Sequence, residues 1–476
     1  MARRPGKLEE LAKAPLGRLL FRYSWPALVS MSLNALYTVV DRFYVGQGCG
    51  ADAMAGLTLA MPVMMAFGAF GVFVGAGHSA VLSIKLGEGD RVAAEKALGE
   101  LVAVKLLFFL ILPPLVFFNL DTVLAWCGGD KVTPGAFAAA KTYLKLVVFS
   151  HLFSHLAFGF SAMMRAEGAA VRSMMCLVIG FGVNFILDPV FIFGLRMGIA
   201  GAAWATNLAM FISCCWALTY YLRGQSVVRL RLVRVRLYGA MFLRTSAIGL
   251  APFLQQISAA FINFALVAAF TKWAVDDASA TRQIASLGVF QSALILILMP
   301  ILGVQQGLSP IMGYNWGARN YARVRQTLLI GFWVTSALCV LAFVVQVVPP
   351  FPQLLAAGFF SAGEVELRAL AAKDLALSNC MIWCIGINVV ATTYFQSIGR
   401  PRMAIFLTGL RQLGIMLPCI WFLPYFMSDH TFAIWLSMPV SDVLANLATV
   451  PPFFAQLRFL AEAAQRRAMV ARANVN

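Results

Sequence analysis

The fold class that the sequence predicts is an all-α integral membrane protein. It has twelve transmembrane helices in two six-helix lobes, related by a pseudo-two-fold axis along the membrane normal. Three observations predict it. The 476 residues are 61% hydrophobic and only 12% charged, about half the charge of a soluble domain, and apolar segments of membrane-spanning length recur throughout. These segments fall into two sets of six, on either side of the basic stretch RGQSVVRLRLVRVRLYG. The two sets also carry similar punctuation at corresponding places, as an internal repeat does.

In chain order, the opening MARRPGKLEELAKAPLGRLLFR is mixed in charge and shows no short apolar run with a small-residue cleavage site, so no signal peptide is read there. Spans follow at 20–46, 54–84, 97–119, 135–160, 172–194 and 200–222, then at 245–272, 284–313, 326–349, 375–396, 404–426 and 431–457. The expected organisation is a cytoplasmic segment 1–18, a first lobe 19–222, a basic cytoplasmic linker 223–243, a second lobe 244–458 and a cytoplasmic tail 459–476.

Charge distribution orients the chain. With both termini in the cytoplasm, 28 of the 37 Lys and Arg fall in inner segments or at inner helix ends, Lys105 and Arg411 among them, and nine fall outside. That is the positive-inside bias. It accounts for the net charge of +17 without nucleic acid.

The repeat is read from GHSAVLSIKLGEGDRVAAEKAL after span two against GLSPIMGYNWGARNYARVRQTL after span eight, and from RAEGAAVRSM after span four against QSIGRPRMAI after span ten. Pro26 opens span one and Pro252 opens span seven, and Pro26 is expected to break its helix. Six helices per half make the repeat parallel, an arrangement found in secondary transporters, with the binding cavity expected between the lobes.

An Asp at the centre of a membrane helix costs about 2.5–3.5 kcal/mol on insertion scales. Three of twenty acids are read as lying well inside spans: Asp41, Asp188 and Asp442. Ser30, Asn34, Tyr37 and Asp41 share one face of span one, and Asn184 and Asp188 share one face of span five. Both acids fall at similar depth, level with Tyr143 of span four and Thr206 of span six. Pro189 withdraws a backbone donor beside Asp188 and weakens the helix there. The cluster suits either a small cation held by hard oxygens or a proton shared by two carboxylates. A purely structural pair locking helices one and five is the competing reading. The repeat argues against it, because Val267 and Cys419 occupy the places of Asp41 and Asp188 in the second half. Asp442 is read either as a cavity-lining cation site, with Gln255 and Gln256 as possible partners, or as a satisfied interhelical bond, and Asn34, Met61, Met64 and Met65 are further candidates for the cavity wall.

Other chemistry is not written in the chain. His151 and His155 lack the Glu of H-E-x-x-H, no P-loop is present, and no Ser–His or paired-Asp protease motif appears, so neither an enzyme nor an ATP-driven pump is expected. Catalytic residues, resident metals and organic cofactors are not expected. The nine cysteines form no ligand cluster.

The segments PALVSMSLNALYTVVDRFYVG, RAEGAAVRSM, VNFILDPVFIFG, MGIAGAAWAT, PIMGYNWGARNYARV and YFQSIGRPRMAI, in that order, resemble the multidrug and toxic compound extrusion (MATE) family. The similarity runs from about residue 15 to 455. It implies a two-lobed antiporter in the inner membrane, working as a monomer, that exports cationic or amphipathic compounds against H+ or Na+. By position it implies a cation-coupling set of Asp41, Asn184, Asp188 and Thr206, with Tyr37 and Tyr143 beside it, as in the DNA-damage-inducible-type and archaeal branch. Another branch carries acids in helices seven and ten. Here those helices are read as offering Gln255, Gln256, Asn379 and Asn388 instead. A lipid-linked precursor flippase of the same superfamily is the alternative.

Overall fold

The computed structural model describes residues 7–129, 132–359 and 364–473, all of whose regular elements are helical. Among them, nine helices are long and apolar enough to cross a bilayer. The number is eleven when two bent pairs each count as one span: Pro134–Val147 with His151–Ala166, bent by 56°, and Val365–Cys384 with Gly386–Ser397, bent by 54°. The remaining expected span, the first, is also helical. It runs from Leu16 to a kink at Gly50 (φ 81°) inside the stretch Leu16–Gly87. Its Ser30, Asn34, Tyr37, Asp41 and Arg42 dilute its apolar character.

Two further short helices, Leu120–Trp126 and Phe351–Phe359, follow the third and ninth spans at corresponding places. The repeat is visible in backbone detail as well. Asp90 and Asn320 cap the helices Arg91–Phe118 and Tyr321–Val347, accepting from the backbone N–H of Ala93 (2.9 Å) and Arg323 (3.4 Å). Each cap follows a residue in the left-handed region, Gly89 (φ 80°) and Arg319 (φ 56°). A side-chain acceptor at that position satisfies one of the orphan donors of a new helix.

The two prolines behave differently. Pro26 was expected to break span one, but the helix continues through it, and the hydroxyl of Ser30 donates to the Pro26 carbonyl at 2.8 Å. Around Pro189 the helix does loosen. The α-helical part ends there and Val190–Gly194 continues with wider π-type turns, closed by Leu195 N donating to the Val190 carbonyl at 2.9 Å.

The chain divides into two compact units, one of residues 1–14 with 25–249 and one of residues 15–24 with 250–476. In the first unit the basic stretch after Leu222 is docked, not free. Glu167 accepts from the Ser226 hydroxyl at 2.6 Å and from Val227 N at 2.9 Å. Glu95 accepts from Arg229 N at 3.2 Å, lies 3.4 Å from Arg231 Nε and pairs with Arg234. Glu100 accepts from Tyr238 N at 2.7 Å. Val228 is fully buried beneath these contacts.

Candidate functional site

Span five places its site residues by a close helix crossing. Cys176, Gly180, Asn184 and Asp188 are four residues apart and all buried, so they form one face of Ala170–Pro189. A side chain at Gly180 would begin 3.1 Å from Ser213 Cβ of Ile199–Leu222, and the Ser213 hydroxyl donates to the Cys176 carbonyl at 2.7 Å. Two helices crossing this tightly bring Thr206 against Asn184 two turns further on.

The result is a polar cluster inside the first unit. Asn184 Nδ2 donates to Asp188 Oδ1 at 3.3 Å and to Thr206 Oγ1 at 3.4 Å. The Tyr37 hydroxyl lies 3.5 Å from Thr206 Oγ1, and its ring stacks on Phe181 with centroids 5.2 Å apart. The carboxyl groups of Asp41 and Asp188 lie close to one another, and Tyr143 lies near Thr206. Asp188 and Asn184 are fully buried, and Asp41, Thr206 and Tyr143 nearly so.

The donors do not satisfy the acceptors. Asp41 Oδ1, Asp188 Oδ2 and Asn184 Oδ1 are buried and receive no hydrogen bond. Buried acceptors without donors are unfavourable, and two adjacent carboxylates repel in a medium of low dielectric. A proton shared by the pair, or a small cation among these hard oxygens, relieves both problems.

The family follows from a comparison of this chain with known sequences. The MatE family model matches residues 26–190 and 253–422. The chain belongs to the MatE family. The multidrug export protein MepA of Staphylococcus aureus (strain MSSA476) is 23% identical over 452 residues, covering 92% of this chain and 93% of MepA. MepA of Staphylococcus haemolyticus is 23% identical over 450 residues, covering 90% and 92%. A MATE structure in the bent conformation superposes with a TM-score of 0.86 at 19% identity, covering 96% of this chain and 99% of that one. An outward-facing multidrug resistance MATE family transporter superposes with a TM-score of 0.84 at 21% identity, covering 95% and 98%. The MatE chain is therefore a multi-pass membrane protein with the two-lobed all-α fold of these structures.

The other expected residues lie outside this cluster. Asn34, Gln255 and Gln256 are exposed, Met61 is half-buried, Met65 is 48% exposed, and Met64 packs on the core, its sulfur 3.2 Å from His151 Nε2. Asp442 does not rely on the glutamines. Arg411 holds its Oδ1 from Nε at 2.9 Å and from Nη2 at 2.8 Å. Arg411 had been read as an inner-end charge, but it lies in the wide-turn segment Leu410–Met416 of the eleventh span. A guanidinium already neutralises this acid, which makes Asp442 one half of an ion pair rather than an open cation site.

Two residues were misread from sequence. Asp374 was read as lying outside the spans, one residue before the expected start of the tenth at 375. The tenth span instead begins at Val365, and Asp374 is 4% exposed within it, accepting from the Ser286 hydroxyl at 2.7 Å. The tenth helix of this MatE chain does contain an acid. Lys105 had been assigned to the inner interface, yet it is 1% exposed at the middle of its helix. An apolar neighbourhood in sequence does not distinguish a lipid-facing residue from one that faces protein.

Proposed function

We propose that the protein is a secondary active multidrug efflux transporter of the cell membrane. It antiports cationic and amphipathic compounds outward against H+ or Na+ by alternating access, as a monomer with both termini cytoplasmic. The observation that carries this reading is the buried convergence of Asp41 and Asp188, each with a carboxylate oxygen lacking a donor. The export function named for the MepA relatives supports it.

The geometry suggests how ion binding acts. A proton or sodium ion entering from outside cancels one charge of the acid pair and relieves the repulsion between Asp41 of span one and Asp188 of span five. The links that must then readjust are the Tyr37–Thr206 contact and the Tyr37–Phe181 stack. Span one thereby changes its packing on spans five and six, and cargo is released. A net negative cluster in the empty state also favours cationic cargo over phosphate-bearing lipid precursors.

The test is drug accumulation in a pump-deficient host, with vesicles in which an H+ gradient is exchanged for a Na+ gradient. Asp41→Asn and Asp188→Asn are expected to fold normally and to lose gradient-driven efflux. Wild-type efflux in either variant overturns the coupling role.

A further inference from the structure

A second group of titratable side chains lies inside the first unit and takes no part in the acidic cluster. Lys105 is fourteen residues into the helix Arg91–Phe118, roughly 21 Å from its start. It is 1% exposed, and its Nζ has no hydrogen-bond partner. The side chain fills a niche made by Gly159 of span four, where an added Cβ would lie 2.5 Å from Lys105 Cε and 3.1 Å from Nζ. His155, one helical turn before Gly159, is 9% exposed, its Nε2 also lacks a partner, and it interacts electrostatically with Lys105.

The other titratable groups nearby are engaged elsewhere. On span four, His151 stacks on Phe67 with centroids 4.5 Å apart and meets Met64. On the third span, Glu100 is 3.4 Å from His78 of the second span and accepts from Tyr238 N. From the second span, Phe67 and Gly71, which do not titrate, pack against the His155 ring. Two nitrogen bases therefore share an apolar pocket in which no described acid pairs with the lysine. They cannot both carry charge without an uncompensated like-charge pair. Buried ionisable groups inside a membrane bundle are retained mainly along ion and proton paths.

We propose that Lys105 and His155 form a proton-exchange site, which holds a proton while the acids are ionised and releases it when the coupling ion neutralises them. The site is distinct from the acidic cluster, since His155 lies twelve residues, about three helical turns, beyond Tyr143 and past the bend of span four. An amine and an imidazole bind H+ and reject Na+, so the site adds a proton step whichever ion the acids take. Only the coupling to the acids rests on the transport reading.

The experiment has two arms on the purified full chain. In the first, thermal unfolding in detergent is followed across pH for wild type, Lys105→Met and His155→Asn. The melting-temperature difference between wild type and each variant is expected to change with pH. A constant difference for both variants overturns the proposal, because neither group then exchanges a proton. In the second arm, ethidium exchange in proteoliposomes is measured across pH. Lys105→Met is expected to keep exchange but lose part of its pH response, while the permanently charged Lys105→Arg loses about tenfold in rate. A wild-type pH profile in both Lys105 variants also overturns the proposal. If wild type fails to move ethidium while the first arm succeeds, the transport reading is what fails.

Discussion

At the scale of single residues, what matters is whether each buried polar group has a partner. Asp442 and Arg411 compensate each other, so the pair is neutral as a unit. Removing only the cation leaves a buried carboxylate, and Arg411→Met is expected to lower stability by about 3–5 kcal/mol. The double change Arg411→Met with Asp442→Leu should recover most of that loss, as thermal unfolding in detergent would register. The pair would be irrelevant to stability if the double variant were no better than the single one. Among the described residues no buried cation pairs with Asp41 or Asp188, and the neighbouring Arg42 is exposed, which separates a coupling site from a structural ion pair. The polar stripe of span one and the Asn184–Asp188 spacing made the acidic cluster legible in the sequence. Asp374 and Lys105 were not legible, since the first sat just before the expected start of its span and the second among residues that suit lipid and protein equally.

Helices and their crossings set where those residues meet. Caps at corresponding places start the third and ninth spans, so Asp90→Ala and Asn320→Ala should each destabilise by about 1 kcal/mol and add when combined. Strong non-additivity in unfolding measurements would contradict independent capping. The crossing of spans five and six depends on Gly180, and Gly180→Val drives a side chain into Ser213. Its expected effect is to separate Asn184 from Thr206 and reduce ion-driven efflux while the protein still inserts. Efflux at the wild-type rate would show that this contact is dispensable. Proline alone did not predict the behaviour of a helix. Pro26 is accommodated within a continuous helix, whereas the helix beyond Pro189 takes wider turns.

For the molecule as a whole, the twelve-span, two-lobe architecture was readable because hydropathy and punctuation recur through the entire chain. The role of the basic stretch was not readable. It had been expected as a linker, but three glutamates fix its backbone onto the first unit. Glu167→Gln combined with Glu95→Gln should release it, and limited trypsin digestion should then cut faster at Arg229 and Arg231. Unchanged cleavage would mean that other contacts hold the segment. The sequence by itself determined the membrane class, the number and order of the spans and the repeat, because apolar length and the punctuation by Gly, Pro and charge are local properties of neighbouring residues. Only the tertiary structure decided the partners of the buried charges. Asp442 meets Arg411 across 31 residues and Asp374 meets Ser286 across 88. Such pairings depend on how distant helices cross, which no local window of sequence contains.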